Sequence, residues 1–313
     1  METNQKVEFT QVISRGCGID VHKKVIVATV NGVGLKEETR EFTAFTSSLT
    51  ELRDWLIEKE VTHVAMESTG VYWKPVYHIL EPSGMKVWIV NAQHIKSVPG
   101  HKTDRKDSKW ICKLLLAGLL KPSYIPPREQ RELRDLTRYR KNLIDEIASE
   151  KNRIIRVLED CNVKLSCVLS SLSGATATKL IDILCSGRSV TMDDIDNVYH
   201  GKLACSKTDL YEACKGYMTD HNIYMLQLIQ KNIDSLESNV NELNQRIREV
   251  LSPYENVMEL LKKVPGLSTK TVEDLIAEIG VDMSAFPSEK HIASWAGISP
   301  GNNESAGKKK VHE

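Results

Sequence analysis

The sequence predicts an α/β N-terminal domain followed by an α-helical coiled-coil region and an α-helical C-terminal domain. Three observations support this fold class. Short β-branched segments alternate with helical patterns up to residue 120. Prolines at 122, 126 and 127 then interrupt the pattern. Beyond them, apolar residues recur mainly at helical spacing. The expected domain ranges are 14–122, 123–252 and 253–313.

The first domain is expected to contain a sheet flanked by helices. The segment 17–31 is rich in β-branched residues, which indicates one strand, and 37–46 indicates a strand paired with it. A helix is expected to begin at Ser47 or Ser48, because serine caps helix N-termini. The remaining predicted elements are, in order, a strand at 63–68, a helix at 71–84, a strand at 86–91 and a helix at 104–120.

Two long helices are predicted in the second region from heptad spacing. Apolar residues step by three and four through 226–250 without interruption, whereas the same steps through 133–157 meet polar residues at Arg140 and Glu150. A long helix in an ordinary helical bundle would show the same spacing of apolar residues. We favour a coiled-coil hairpin that pairs within the chain or with a second copy, which makes a homo-oligomer the expected assembly. The intervening 161–220 is rich in serine and cysteine and is expected to form short helices, whose place in the fold the sequence does not indicate.

The third region opens at Pro253 and contains a segment similar to half of a helix–hairpin–helix, at 264–280. Pro265 and Gly266 favour a tight turn, and Ser268 or Thr269 is expected to cap the next helix. Such a turn can offer backbone N–H groups to a phosphate. A plain helical turn is the competing interpretation.

Composition excludes several classes of protein. The chain has 313 residues, with 42 Lys and Arg balanced by 42 Asp and Glu. Its apolar runs are far shorter than the ~18 residues that span a bilayer. The seven cysteines form no C-x-x-C pair and no zinc-finger spacing. We therefore expect a reduced, cytoplasmic protein with no membrane association.

Basic residues are concentrated although the net charge is zero. The segment 93–110 holds five Lys and Arg against two Asp, and the chain also has a run of three lysines from Lys308 to Lys310. A solvated surface explains any one of these stretches as well as nucleic acid does. Together they permit a nucleic-acid partner.

Four carboxylates stand out by position: Asp20, Glu67, Asp104 and Asp107. Asp20 and Glu67 lie in predicted strands, where a lone carboxylate is costly. Asp104 and Asp107 are three residues apart at a helix start, so they share one helix face. Carboxylates are hard oxygen ligands for Mg²⁺, and two such ions can clamp a phosphodiester. Taken one at a time, most acidic residues are simply solvated.

Three segments carry a resemblance to a known family: GIDVHKK (18–24), AMESTGVYW (65–73) and NAQHIKSVPGHKTDRKDSKWICKLL (91–115). They closely resemble the DEDD transposases of bacterial insertion sequences. These form the insertion-sequence-110 family, which is related to the Piv/MooV DNA invertases, and the resemblance implies a bacterial protein. The resemblance implies a RuvC-like, ribonuclease-H-type catalytic domain. It assigns the four carboxylate roles, with Mg²⁺ or Mn²⁺ as cofactor, to Asp20, Glu67, Asp104 and Asp107.

The segment 264–310 resembles the second transposase domain of the same family. There, a serine in a small-residue loop is the proposed nucleophile, and the matching residue here is Ser305. Lys308 and Lys309 could stabilise the phosphate charge. In the first domain, basic residues beside the carboxylates could grip the nucleic-acid backbone; they are Lys102, Arg105 and Lys106.

The resemblance implies a DNA transposase or site-specific recombinase that acts on element ends and target DNA. It also implies a structured guide RNA, which would leave sequence recognition to base pairing. Family members usually continue past the serine loop, so we expect the second transposase domain to be incomplete in this chain.

Other functions stay open from the sequence alone. A RuvC-like metal-dependent nuclease would use the carboxylates and no serine chemistry. An inactive, truncated remnant would only bind nucleic acid or self-associate. A sugar-kinase-like ATPase is disfavoured, because the sequence has no G-x-x-x-x-G-K-[ST] loop.

Overall fold

The computed structural model describes residues 11–68, 70–91, 107–298, 304–305 and 308–309. The chain divides into two compact units, Met1–Ile125 and Pro126–Glu313. Helices on both sides of residue 252 belong to the second unit, so the domain boundary expected there stays a prediction.

A five-stranded mixed sheet forms the centre of the first unit, in the order β3-β2-β1-β4-β5. The central strand β1 pairs antiparallel with β2 and parallel with β4. β3 extends the antiparallel side, and β5 extends the parallel side. The strands are β1 (Arg15–Val21), β2 (Val25–Gly32), β3 (Leu35–Thr43), β4 (His63–Glu67) and β5 (Lys86–Val90).

The prediction of one strand over 17–31 is wrong, because the segment folds back on itself as β1 and β2. The backbone N–H of His22 donates to the carbonyl of Val25 at 3.0 Å and closes the hairpin. The turn holds His22, Lys23 and Lys24, none of which is a residue that marks tight hairpins. Because β-branched residues lie on both sides of this turn, the sequence pattern did not reveal that the chain reverses there.

Helices cover both faces of this sheet. They are α1 (Thr46–Glu58), α2 (Trp73–Leu80) and α3 (Asp107–Leu116), and a 3-10 turn at Glu81–Ser83 follows α2. Leu52 and Leu56 of α1 are fully buried in the core on one face, each side chain contributing ~1.5–3 kcal/mol by its burial. Leu114 and Leu115 of α3 form the core on the other face.

Helix α1 begins without the serine cap that was expected. Its N-cap residue is Phe45, which makes no side-chain cap hydrogen bond. The hydroxyl of Ser48 instead accepts a hydrogen bond from the backbone N–H of Thr43 at 3.0 Å. Ser48 therefore fastens the end of β3 rather than the start of the helix.

Within its described residues, the second unit is helical apart from one pair of two-residue strands. Residues 161–220, which the sequence left unplaced, form four short helices whose apolar side chains join one core with the two long helices. The helices are α4 (Arg128–Asp160), α5 (Leu165–Val168), α6 (Ala175–Cys185), α7 (Met192–Val198), α8 (Lys207–Cys214), α9 (Asp220–Leu251), α10 (Glu255–Lys262), α11 (Thr269–Ile279) and α12 (Glu289–Trp295).

The long helices α4 and α9 pack against each other as an antiparallel pair. Leu133, near the start of α4, shares a core with Ile247, whereas Leu158, near its end, shares one with Leu226. The two predicted long helices are therefore confirmed, and their apolar positions are paired within the chain. Coiled-coil supercoiling stays a prediction.

The two polar residues that interrupt the heptads of α4 are buried and partnered. Arg140 is 2% exposed and forms ion pairs with Glu273 and Asp274 of α11. Glu150 accepts a hydrogen bond from Asn232 of α9 at 2.9 Å. Buried charges need partners: Arg140 obtains its own from distant α11, whereas Glu150 forms its ion pair with Arg153 of the same helix.

At α11, the expected cap is confirmed for Ser268. Its hydroxyl accepts a hydrogen bond from the backbone N–H of Thr271 at 3.2 Å. Gly266 adopts φ +89° in the preceding turn, a conformation that favours glycine. Among the described helices, none is long and apolar enough to cross a membrane.

Candidate active site at the carboxyl edge of the sheet

Asp20 and Glu67 lie side by side at the ends of two adjacent parallel strands. In the register of β1 and β4, the last pair is Ile19 with Met66, and the two acidic residues come next on each strand. Ile19 and Met66 are buried in the core beneath α1. Because strand side chains alternate, Asp20 and Glu67 point to the opposite face, which α3 covers. Neighbouring strands are ~4.8 Å apart, so the two carboxylates are close neighbours.

Glycine 18 lets α3 lie directly on β1. A Cβ atom there would sit 2.2 Å from both the backbone nitrogen of Cys112 and the carbonyl oxygen of Ser108. Further back along the strand, Gly16 faces the side chains of Leu115 and Leu116. The helix therefore runs antiparallel to β1, and its first residue lies towards the strand end that bears the carboxylates.

The first turn of α3 is fastened to the sheet by hydroxyl groups. Ser108 Oγ lies 2.9 Å from Thr29 Oγ1 of β2, and Thr29 Oγ1 lies 2.9 Å from Thr39 Oγ1 of β3. Ser108 and Thr29 are both buried. Asp107, the residue before Ser108, is exposed at the helix start, which places a third carboxylate beside this edge.

The surroundings of Asp20 disfavour its ionised form. Burial raises the pKa of its carboxyl above the usual value, the neighbouring His22 opposes that rise, and the charge of Asp107 adds to it. His22 Nε2 lies 2.9 Å from Asp20 Oδ2, although 63% of the His22 side chain is exposed.

The donor set suits a hard divalent cation. Carboxylate oxygens are the ligands that Mg²⁺ and Mn²⁺ prefer, and a cation would offset the repulsion between Asp20 and Asp107. Within the described ranges, no three His, Cys, Asp or Glu side chains form a metal-holding group. The fourth predicted carboxylate, Asp104, lies outside the described residues, as do Lys102, Arg105 and Lys106.

Ser305 belongs to the second unit, where only its backbone is described. Strands β6 (Glu304–Ser305) and β7 (Lys308–Lys309) pair antiparallel, with Ser305 opposite Lys308. The side chains of Ser305, Lys308 and Lys309 lie outside the described residues. The predicted nucleophile role of this serine therefore stays a prediction.

Sequence reasoning missed the residues that support the carboxylates. His22 stands inside the GIDVHKK segment, and its spacing of two from Asp20 on a strand end was an available signal. Gly18 stands in the same segment, and glycine inside a strand marks a close backbone approach. The Thr29–Ser108 hydrogen bond left no signal, because 79 positions separate the two residues.

Two family models match the chain. The DEDD transposase model of IS110 matches residues 17–163, and the transposase model of the IS116/IS110/IS902 family matches residues 258–313. Together they cover well over half of the sequence and leave residues 164–257, between the two matches, uncovered. These matches define the class of the protein: it is a transposase or recombinase, an enzyme that acts on DNA.

Curated relatives agree with the family models. The pilin gene-inverting proteins of Moraxella bovis and Moraxella lacunata are each 23% identical over 303 residues, which is 92% of this chain and 73% of each relative. The chain belongs to the IS110 family of transposases.

Solved structures of Thermus thermophilus RuvC are also similar to part of the chain. One, in complex with a Holliday junction substrate, has a TM-score of 0.27 and 13% identity, and covers 35% of this chain and 99% of RuvC. Another has a TM-score of 0.25 and 15% identity, and covers 36% and 83%.

Proposed function

We propose that the chain is a DNA recombinase that cleaves and rejoins strands with a metal-binding carboxylate cluster and a serine nucleophile. The carboxylates are Asp20, Glu67, Asp104 and Asp107, and the serine is Ser305. The observation that carries the proposal is the placement of Asp20 and Glu67 on adjacent strand ends. The start of α3, fastened at Ser108, lies over the same face.

The carboxylates would hold Mg²⁺ or Mn²⁺, which supplies charge neutralisation and Lewis-acid activation at the reacting phosphate. The chain contributes orientation: β1 and β4 fix two ligands, and the Thr29–Ser108 hydrogen bond fixes the helix that bears Asp107. His22 occupies one oxygen of Asp20. We propose that His22 holds this carboxylate in its ligating orientation until substrate binds.

The serine chemistry is a balanced phosphoryl transfer. The Ser305 hydroxyl oxygen attacks phosphorus, and a bond from phosphorus to one deoxyribose oxygen breaks. The proton lost by serine ends on the released deoxyribose hydroxyl. A deoxyribose hydroxyl of the new partner strand then attacks the phosphoserine and regenerates the Ser305 hydroxyl. The covalent link preserves the energy of the phosphodiester for rejoining.

Basic residues close in sequence to the carboxylates and to Ser305 support a nucleic-acid substrate. Lys102, Arg105 and Lys106 would contact the phosphate backbone near the carboxylates, and Lys308 and Lys309 near the serine. The relatives' name, gene-inverting, describes a rearrangement of DNA. We also propose a structured guide RNA that pairs with the element ends and the target. The chain would self-associate through its helical region.

The test is a denaturant-resistant protein–DNA adduct. Purified chain would be incubated with labelled element-end DNA, RNA transcribed from the element's flank and Mg²⁺, then separated under denaturing conditions. Ser305→Ala and Asp104→Ala are compared with wild type. Ser294→Ala is the matched control, since Ser294 is exposed on α12 and has no proposed role.

We expect an adduct with wild type and Ser294→Ala, and none with Ser305→Ala or Asp104→Ala. Nicking that persists in Ser305→Ala but disappears in Asp104→Ala would overturn the serine step and favour a metal-dependent nuclease. Binding of DNA or RNA with neither adduct nor nicking in any variant would overturn catalysis by this chain altogether.

A further inference from the structure

An exposed phenylalanine occupies a position where stability favours a small polar residue. Phe45 is the N-cap of α1, its side chain makes no cap hydrogen bond, and it is 75% exposed. Ser, Thr, Asp and Asn are preferred there because their oxygens bind the free N–H groups of the first turn. Phe45 thus forgoes a cap and exposes an aromatic ring. Such breaks with local preference are expected at functional positions.

Phe45 lies at the same edge of the sheet as the carboxylates. It follows the end of β3, where the backbone N–H of Ala44 donates to the carbonyl of Lys24 at 3.1 Å. Across the sheet, Asp20 pairs with Val27 of β2. Strand spacing and rise then put Phe45 roughly 15–20 Å from Asp20. That distance corresponds to a few nucleotides of a DNA strand. Because α1 and α3 cover opposite faces of the sheet, such a strand would pass over the β1–β2 turn at the sheet's end.

Two lysines lie in the turn between Phe45 and Asp20. The β1–β2 turn presents His22, Lys23 and Lys24, and all three are exposed. Neither lysine forms an ion pair within the part of the chain that the structure describes. The edge therefore combines a carboxylate cluster, unpaired positive charge and an exposed aromatic ring.

We propose that Phe45 stacks on an unpaired base of the DNA strand whose phosphate lies at the carboxylates, while Lys23 and Lys24 contact the intervening backbone. The combination of a cationic groove with an aromatic platform is how proteins bind single strands without reading sequence. The inference rests on the proposed function, because it takes the carboxylate edge as the reacting site. It adds that a few bases beside the reacting phosphate are unpaired when bound.

The test measures binding of a short, fluorescently labelled single-stranded oligodeoxynucleotide by anisotropy in EDTA, where no cleavage occurs. The informative variant is Phe45→Ser, because serine restores the preferred cap. We expect its affinity for the oligonucleotide to fall about tenfold while its thermal unfolding midpoint rises. Lost binding in a more stable protein cannot be attributed to misfolding.

Two further variants make the result specific. Phe45→Trp keeps an aromatic ring, so we expect affinity near that of wild type. Val33→Ser is the matched control, because Val33 is 63% exposed in the turn at the opposite edge of the sheet. We expect its binding to be unchanged. Affinity that is equal in Phe45→Ser, Val33→Ser and wild type would overturn the stacking role.

Failure of this inference can be separated from failure of the proposed function. If Phe45→Ser binds like wild type while Asp20→Asn loses cleavage, only the stacking role is overturned. If Asp20→Asn cleaves like wild type, the reacting site itself is misplaced, and the inference falls with it. Equal losses for single-stranded and fully paired probes would also overturn it, since stacking on an unpaired base requires a preference for the single strand.

Discussion

The hydroxyl oxygens of Thr29 and Ser108 lie 2.9 Å apart, and both residues are buried in the first unit. This hydrogen bond joins the second strand to the first turn of the helix that bears Asp107. Together with the close contact at Gly18, it determines where that carboxylate stands relative to Asp20. The site is thus built from two strand ends and one fastened helix start.

Replacing Thr29 with valine tests this fastening. Valine has nearly the same shape but leaves the Ser108 hydroxyl without its partner, so we expect a loss of ~1–3 kcal/mol in the free energy of unfolding. Ser108→Ala should cost less, because Thr29 retains its contact with Thr39. Urea unfolding measures both, and the double variant should cost less than the sum. Additive losses would show that the two hydroxyl groups do not interact.

A methyl group at Gly18 should push α3 away from the sheet. The added Cβ would meet backbone atoms of Ser108 and Cys112 at 2.2 Å, so neither side can move cheaply. We expect Gly18→Ala to lower the free energy of unfolding by at least about 2 kcal/mol. Gly201→Ala is the matched control, because nothing lies within 4 Å of its added Cβ. Chemical denaturation of both variants measures the difference, and equal stabilities would contradict the close packing.

Arg140 anchors α4 to α11 by a buried ion pair with Glu273. Arg140→Met leaves Glu273 buried at 5% exposure without its charge partner, so we expect a loss of ~3–5 kcal/mol. Adding Glu273→Leu should recover much of that loss. Arg138→Met is the control, since Arg138 is 64% exposed and should contribute under ~1 kcal/mol. A double variant less stable than Arg140→Met would contradict the account.

Asp194 gives a pH-dependent contribution to stability. Hydrogen bonds from Arg188 and from Thr191 hold the pKa of its carboxyl well below the usual range. A depressed folded-state pKa gives stability that is present above the unfolded-state pKa and is lost as pH falls through the folded-state value. Asp194→Asn should therefore lower the unfolding midpoint at neutral pH, and the difference from wild type should shrink in strong acid.

The control for that measurement is Asp193→Asn. Asp193 lies in the same first turn of α7, and its side chain makes no hydrogen bond or ion pair with other described residues. The difference in unfolding midpoint between wild type and Asp193→Asn should therefore change little across a pH series. A constant gap between wild type and Asp194→Asn at every pH would mean that the charge of Asp194 is not the source of its effect.

Local patterns in the sequence predicted most helices and strands but not the long-range contacts that hold them in place. Strands at 63–68 and 86–91 and the two long helices follow from residue preference and spacing, which are local properties. The β1–β2 reversal was missed because His22-Lys23-Lys24 lacks turn residues. Short helices were expected in 161–220, but their place was not, because it depends on packing against α4 and α9.

The sequence predicted which residues form the candidate site but not the contacts that hold them together. The strand positions of Asp20 and Glu67 suggested a shared edge, but the parallel register that puts them side by side is a long-range property. Arg140 looked like a defect in a heptad because its partner Glu273 lies 133 positions away. Phe45 went unnoticed, since an exposed phenylalanine is meaningful only once the fold places it at the carboxylate edge.

We propose that the carboxyl edge of the sheet is a metal-dependent DNA-cleaving site. Single-turnover cleavage of labelled element-end DNA in Mg²⁺, with RNA transcribed from the element's flank added, tests this for wild type, Asp20→Asn and Glu67→Gln. Glu51→Gln, an exposed residue of α1, is the control. We predict that each site variant stays folded and cleaves at least about a hundredfold more slowly, with Glu51→Gln unchanged. A folded Asp20→Asn variant that cleaves as fast as wild type would contradict the account.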